Sequence, residues 1–144
     1  MNGWRLRLLC LAPDFIRQNP TIFDPAWASE AQAKLDQIAT YISDNAVELQ
    51  KNNVWLEVRT YEAVPSLHGF SVGSLEIIMS FTHWGNNDRL NRPYDFYEHV
   101  VGDDHSKRAQ VYRRLFRNWF EHAMKHSKVV AAFPSAQNTG NVKK

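Results

Sequence analysis

A strand, a long amphipathic helix and a second strand open the chain, and this order constrains the fold more than any other feature. Residues 4–11 begin with alternating and end with continuously apolar side chains, a pattern typical of a strand buried on both faces. Residues 54–61 alternate apolar and charged side chains, as strands with one buried face do. Two strands of one sheet joined through a helix form a right-handed parallel crossover. We therefore predict that residues 5–11 lie at or near the centre of a sheet, parallel to residues 54–61.

A single long helix is predicted between these strands, from about Pro25 to Lys51. Asp24 can cap its amino end, and proline suits a first helical turn. Apolar side chains recur along it at spacings of three and four residues, which is typical of a helix with one buried face. The residues of this predicted buried face are Trp27, Ala31, Leu35, Ile38, Ile42, Ala46 and Leu49.

A hairpin is predicted next, from residues 67–72 and 75–81 joined by a tight turn at Gly73 and Ser74. Residues 82–105 are the least regular part of the chain, with one further candidate strand at 94–101.

Ser106 is a suitable cap for a final helix that ends near His126. The predicted buried residues of this helix are Tyr112, Leu115, Phe116, Trp119 and Ala123. The predicted opposite face carries Arg113, Arg114, Arg117, Glu121 and Lys125.

These elements predict one domain of the α/β class, a mixed-sheet α/β sandwich over residues 1–133, followed by a flexible tail at 134–144. A chain of 144 residues with 44% hydrophobic and 22% charged side chains is ordinary for a single globular domain. No apolar run approaches the length that a membrane span requires. The single cysteine, Cys10, cannot form an internal disulfide, so we expect a buried thiol and a reducing, cytoplasmic location.

Charge is distributed unevenly along the chain, although the net charge is only +2. Residues 1–88 carry six Lys and Arg against ten Asp and Glu, whereas residues 89–144 carry eleven against five. The basic part could face an anion, a nucleic acid or the acidic part of the same fold. A nucleic-acid surface on the last helix would use Arg113, Arg114 and Arg117, and a solvated helix face has the same pattern.

The segment 66–84 carries a degenerate motif on the predicted hairpin. His68 is followed by Phe70 two residues on and by Leu75 seven residues on. With the apolar strand that ends in Pro13 and Asp14, and with the order of the later elements, this segment resembles one half-module of the phospholipase D (HKD) superfamily. The resemblance covers roughly residues 4–126 and is nearest to single-module relatives in bacterial regulatory and defence-type systems.

The resemblance implies a phospholipase D-like half-module in which catalysis has been lost. Active members use the histidine as nucleophile, a lysine to hold the phosphate, and two modules that face each other. Here Phe70 stands at the lysine position and Leu75 at the aspartate position. A lone histidine without a cation or an orienting carboxylate is a poor nucleophile, so His68 is a vestigial candidate, and a partly buried histidine packed at a strand end is the simpler interpretation.

A ligand site is predicted around this vestigial motif, since exposed aromatic and arginine side chains suit a planar anion. The same residues could instead form a protein interface or pack in the core. The candidate ligand-binding residues are His68, Phe70, Ser80, His83, Trp84, Arg89, Arg92 and Tyr94. His122 and His126 share one helix side, but we predict no metal site and no cofactor.

The sequence thus predicts a non-catalytic sensor or interaction domain that recognises a ligand, such as a nucleotide or another phosphate-containing molecule, or a protein partner. A small homodimeric phosphodiesterase or nuclease with a rearranged site is the first alternative. A nucleic-acid-binding module is the second. Because the resemblance is to half of a paired structure, we expect a homodimer whose seam includes the hairpin or residues 82–99.

Overall fold

The computed structural model describes residues 3–91 and 97–134 and confirms the α/β class. These residues form four helices and eight strands, and the strands are arranged in two three-stranded sheets and one two-stranded ribbon. In chain order the elements are β1 (Trp4–Leu11), α1 (Pro13–Gln18), α2 (Ala26–Asp44), α3 (Ala46–Lys51), β2 (Val54–Tyr61), β3 (Leu67–Val72), β4 (Glu76–Phe81), β5 (His83–Trp84), β6 (Leu90–Asn91), β7 (Glu98–Val100), α4 (Lys107–Lys125) and β8 (Lys128–Phe133).

The first sheet has the strand order β1-β2-β8. Strands β1 and β2 run parallel in unbroken register, from Trp4 opposite Val54 to Leu11 opposite Tyr61, which confirms the predicted crossover. Strand β8 pairs antiparallel with β2, and the register shifts so that Val130 has no partner residue. This shift is a β-bulge.

The predicted central position of β1 is wrong, because β1 is an edge strand of this sheet. The centre is β2, whose second side is covered by β8, a strand that the sequence reading did not identify. As a result, the first half of β1 is exposed, and Trp4 retains 71% of its accessible surface.

The predicted single helix over 25–51 is two helices that meet at Asn45. The backbone of Asn45 leaves helical geometry (φ −111°, ψ 15°), and its side-chain amide donates to the Tyr41 carbonyl at 2.9 Å. Pro25, rather than the predicted Asp24, is the N-cap residue of α2, and the Asp24 carboxylate accepts from the Ala26 amide at 2.8 Å. Most of the predicted buried stripe is only half-buried, and Leu49 on α3 is its one buried member.

The second sheet is antiparallel, with the order β3-β4-β7. The predicted hairpin is confirmed in register, from Leu67 opposite Phe81 to Val72 opposite Glu76. Gly73 takes the positive φ (62°) that its turn needs. Strand β7 lies inside the candidate strand 94–101, whose first three residues lie outside the described part of the chain.

Helix α4 packs between the two sheets and holds them together. Ser106 caps it as predicted, with its hydroxyl accepting from the Ala109 amide at 3.1 Å. Its aromatic residues pack against a core formed with the second sheet, which consists of Leu67, Ile77, Met79, Val100, Ala109 and Phe116, with Tyr112, Trp119 and Phe120 beside it. A separate cluster under α1 and α2 consists of Ile16, Phe23, Ala28 and Leu90, with Leu11, Phe15, Ile22, Trp27 and Ala31 beside it.

Two predicted positions on α4 are wrong. Arg113 was expected on the solvated face and is buried, whereas Leu115 was expected in the core and is exposed. Of the predicted tail, only Pro134 is within the described residues.

Candidate functional site

The outward-facing side of the second sheet carries His68 and Phe70. Directly paired residues point to one face of a sheet, so His68 with Ser80, Phe70 with Ile78, and Val72 with Glu76 lie on one side. We call this side the outer face; it consists of His68, Phe70, Val72, Glu76, Ile78, Ser80, His99 and Tyr97. The alternate residues Leu67, Ile77 and Met79 point the other way, into the core with α4.

A histidine–tyrosine bridge spans one end of the outer face. His68 Nδ1 and the Tyr97 hydroxyl are 2.8 Å apart, and the two rings lie 5.9 Å apart between centroids. Ser80 lies opposite His68 on the middle strand and is only 1% exposed. His68 itself is exposed, so the interpretation of a partly buried histidine is wrong.

Apolar side chains occupy the remainder of the outer face. Phe70 is 56% exposed and Val72 is 60% exposed, and half-buried Ile78 lies between Phe70 and His99. At the far end, His99 Nε2 and the Glu76 carboxylate are 3.0 Å apart. The outer face is therefore a strip of apolar and aromatic surface with a polar pair at each end.

No permanent positive charge is present on these three strands. Neither Lys nor Arg occurs in β3, β4 or β7. Glu76 is the one carboxylate that the strands direct to the outer face, since Glu98 pairs with Arg108 on α4. The three strands themselves therefore supply no cation of the kind that normally binds a phosphate.

Phe70 and Leu75, which the sequence analysis compared with the lysine and aspartate positions of a phosphodiesterase, have structural roles. Phe70 forms part of the apolar strip, and Leu75 lies in the turn before β4, where its carbonyl oxygen accepts a hydrogen bond from Arg113 at 2.7 Å. His68 thus has a tyrosine hydroxyl beside it, and neither motif position supplies a charged group.

The other predicted ligand residues lie on the ribbon of β5 and β6. His83 and Trp84 are exposed there, and Arg89 is half-buried in the loop between the two strands. Leu90 anchors this ribbon, because its side chain packs in the cluster under α1 and its amide donates to the Ile22 carbonyl at 2.7 Å. The ribbon is thus fastened to a different core from the one beneath His68. Arg92 and Tyr94 lie outside the described residues.

The candidate ligand-binding residues omit five residues of the outer face: Val72, Glu76, Ile78, Tyr97 and His99. The alternation of β3 and β4 could have placed Glu76 on the same side as His68 and Phe70. Tyr97 and His99 depend on the pairing of β7 with β4, which adjacent sequence does not reveal.

Of the three predicted nucleic-acid residues, Arg113 is 8% exposed and points inward. Its guanidinium donates to the carbonyl oxygens of Leu75 and Asp104 at 2.7 Å and of Val101 at 2.8 Å. Arg117 is exposed and reaches the Ser74 carbonyl at 3.3 Å, and Arg114 is exposed. Arg113 is therefore not accessible to a phosphate, and only Arg114 and Arg117 of the three predicted residues are exposed.

An ion pair joins the first sheet to α4. Arg7 donates from Nη1 and Nη2 to the two carboxylate oxygens of Glu121, at 3.0 and 2.5 Å respectively. The hydrogen bonds from Arg7 hold the pKa of Glu121 below its ordinary value, and the same hydrogen bonds raise the pKa of Arg7. Burial raises the pKa of the Cys10 thiol, which disfavours the reactive thiolate.

The His122 and His126 rings lie 4.6 Å apart between centroids on the exposed side of α4. Among residues 3–91 and 97–134, no three side chains of the metal-binding types come together. Within the same ranges, no helix combines the length and the apolar character that crossing a membrane requires.

Comparisons with family models, with curated proteins and with solved structures find no match to this chain. The assignment of function therefore depends on the geometry of the chain itself.

Proposed function

We propose that this chain is a non-catalytic interaction domain that binds a protein segment on the outer face of the second sheet. The observation that carries the proposal is an apolar strip, formed by exposed Phe70 and Val72 with half-buried Ile78, between two polar pairs, His68 with Tyr97 and Glu76 with His99. Contiguous exposed apolar surface rimmed by polar groups marks interaction sites.

The charge of the outer face favours a protein segment over a nucleotide or a phosphate-containing ligand. The affinity of phosphates for proteins comes largely from Arg, Lys or helix amino termini. The three strands supply no Lys or Arg and direct one carboxylate outward. Aromatic and aliphatic anchors flanked by neutral hydrogen-bonding groups suit an apolar peptide that carries neutral or basic residues.

The same outer face argues against the phosphodiesterase alternative. A phosphoryl-transfer site needs an oriented nucleophile and groups that stabilise the charge that develops on the phosphate. The motif positions supply Phe70 and Leu75 instead, and neither side chain carries a charge.

Selection of displayed peptides tests this proposal. A library of random twelve-residue peptides is panned against the whole chain, and enriched peptides are titrated by fluorescence anisotropy. We expect micromolar binding that weakens at least about tenfold on Phe70→Ser, since a central apolar anchor contributes on the order of 2 kcal/mol. Val129→Ser, an equally exposed apolar residue on β8, is the matched control and should keep wild-type affinity.

Two outcomes contradict the proposal. Enriched peptides whose affinity is unchanged by Phe70→Ser would place the binding surface elsewhere. Binding of ATP or of a twelve-residue oligothymidylate, lost on Phe70→Ser, would keep the surface but replace the class of ligand. Circular dichroism of Phe70→Ser verifies that the variant is folded, as expected for a residue that is more than half exposed.

A further inference from the structure

The free edge of the first sheet has the features of a pairing surface. Strand β1 is eight residues long and in unbroken register with β2. The amide of Trp4 donates inward to the Asn53 carbonyl and that of Ala12 to the Tyr61 carbonyl. Because backbone groups of alternate residues point to alternate sides of a parallel strand, the even-numbered residues bond to β2. The N–H and C=O groups of Arg5, Arg7, Leu9 and Leu11 therefore point outward, and within residues 3–91 and 97–134 no element pairs with them.

The devices that normally protect an edge strand are missing from β1. Edges are commonly blunted by proline, by a bulge or by charges that project along the edge. Strand β1 has no proline and no bulge, whereas β8 at the opposite edge is bulged at Val130. The two arginines of β1 are held against their own chain, Arg5 over the Trp55 ring at 4.3 Å and Arg7 in its ion pair with Glu121.

We propose that β1 pairs antiparallel with β1 of a second copy of this chain, which joins the two first sheets into one six-stranded sheet. Symmetric dimers place the same strand on both sides of a two-fold axis. One register uses all four outward-pointing residues of each strand: Arg5 opposite Leu11 of the second copy and Arg7 opposite Leu9. In this register each arginine faces a leucine, and the two copies of Leu8 meet at the axis.

The exposed apolar side chains of β1 also fit this seam. Trp4 is 71% exposed and Leu6 is 44% exposed, and both lie on the same face as Leu8. Pairing would place Leu6 opposite Cys10 of the second copy, so that the Leu6 and Cys10 side chains each lose part of their exposed surface. One strand pair buries less than the roughly 800 Å² per partner that stable complexes use, so a reversible dimer is expected. This seam is separate from the outer face and from the seam expected at the hairpin or residues 82–99.

Cross-linking tests the register directly. In the Cys10→Ser background, Leu8→Cys should form a disulfide-linked dimer on mild oxidation, because residues opposite each other in a non-hydrogen-bonded antiparallel pair have Cα atoms about 4.5 Å apart. Leu6→Cys in the same background is the matched control. Its two copies would be separated by about four residues along the strands, roughly 13 Å, and should stay monomeric on a non-reducing gel.

Sedimentation equilibrium provides the second measurement. The wild-type chain should be a reversible dimer at tens of micromolar, and Leu9→Pro, which removes an outward-pointing N–H, should weaken dimerisation at least about tenfold. Val130→Ser at the bulged edge should leave the dimer unchanged. A wild-type monomer at these concentrations would overturn the proposal, as would a dimer in which Leu8→Cys fails to cross-link.

Discussion

Arg113 shows how one side chain can organise a loop that has little regular structure. Its buried guanidinium donates to the carbonyl oxygens of Leu75, Val101 and Asp104, and so connects the turn before β4 and the loop after β7, at one end of the second sheet, to α4. Arg113→Met should destabilise the protein by about 3 kcal/mol, because several hydrogen bonds from a buried charged donor are lost. Urea unfolding measures this change.

Arg114 provides the matched control for Arg113. It is the next residue of the same helix and is exposed, so Arg114→Met should change the free energy of unfolding by less than about 0.5 kcal/mol. Similar losses in the two variants would show that the carbonyl contacts of Arg113 contribute little.

The ion pair of Arg7 with Glu121 predicts a specific dependence of stability on pH. The pKa of Glu121 is lowered in the folded state from its ordinary value of 4.5. A carboxyl with a lowered folded-state pKa stabilises the fold above its unfolded-state pKa, and this contribution disappears as the pH falls through the folded-state value. Glu121→Gln should therefore lower stability at pH 7 and flatten its decline below about pH 4.5.

The size of this effect is limited by solvent, since the Glu121 side chain is half exposed. We expect at most about 1 kcal/mol, measured by urea unfolding between pH 3 and pH 7. Glu48→Gln, which removes an exposed carboxylate on α3, is the control and should change the free energy of unfolding at pH 7 by less than about 0.5 kcal/mol. An unchanged slope in Glu121→Gln would mean that the pair makes no net contribution.

The misplacement of Arg113 in the sequence reading has an identifiable cause. Arg113 follows Ala109 by four residues and precedes Phe116 by three, so helical periodicity alone places it on the buried face. The charge of Arg113 favours a solvated face, whereas its position in the helical repeat favours the buried face, and the buried face is the one observed. Residue type could not reveal the acceptors, because they are backbone carbonyls of a loop.

At the scale of elements, α4 packs against both three-stranded sheets. Trp119 packs edge-on against Tyr61 of the first sheet, at 6.1 Å between ring centroids, and against Phe116 in the core of the second. Trp119→Ala should cost about 3 kcal/mol, near the lower end of the range for buried aromatics, since Trp119 is half-buried. Thermal or urea unfolding measures the loss.

Leu115 is the control for this prediction, because the sequence reading placed both residues in the core. It is 44% exposed, so Leu115→Ala should cost less than about 1 kcal/mol. If the two substitutions had equal effects, α4 would be rotated from the position described.

Local signals account for the elements that the sequence predicted well. Serine at the amino end of α4, glycine in the turn between β3 and β4, and the alternation along β2 each act within a few residues. The division of the long helix at Asn45 was missed because the apolar repeat continues across the break. The half-buried state of that repeat on α2 could not be predicted, since it depends on which elements cover it.

At the scale of the whole molecule, the parallel crossover was predictable and the strand order was not. The handedness and direction of a strand–helix–strand unit follow from general rules. The edge position of β1 results from β8, a six-residue strand at the far end of the described chain that pairs with β2. The strands of the outer face show the same division. Local sequence pattern predicted β3 and β4, whereas the position of β7 depends on its long-range pairing with β4.

The last prediction concerns chemistry, because His68 is the only residue that the chain shares with the phosphodiesterase motif it was expected to resemble. Cleavage of a phosphodiester through a histidine requires an oriented imidazole, neutralisation of the phosphate charge and a proton for the leaving group. Loss of one electrostatic contributor typically slows such a reaction by on the order of a hundred- to a thousand-fold, and Phe70 and Leu75 replace two. We therefore expect no hydrolysis of bis-p-nitrophenyl phosphate or single-stranded DNA above the rate without protein.

His68→Ala should leave that rate unchanged and instead weaken peptide binding or lower the melting temperature, because the bridge to Tyr97 is lost. Hydrolysis well above the control that disappears in His68→Ala would establish the phosphodiesterase alternative in place of the interaction domain.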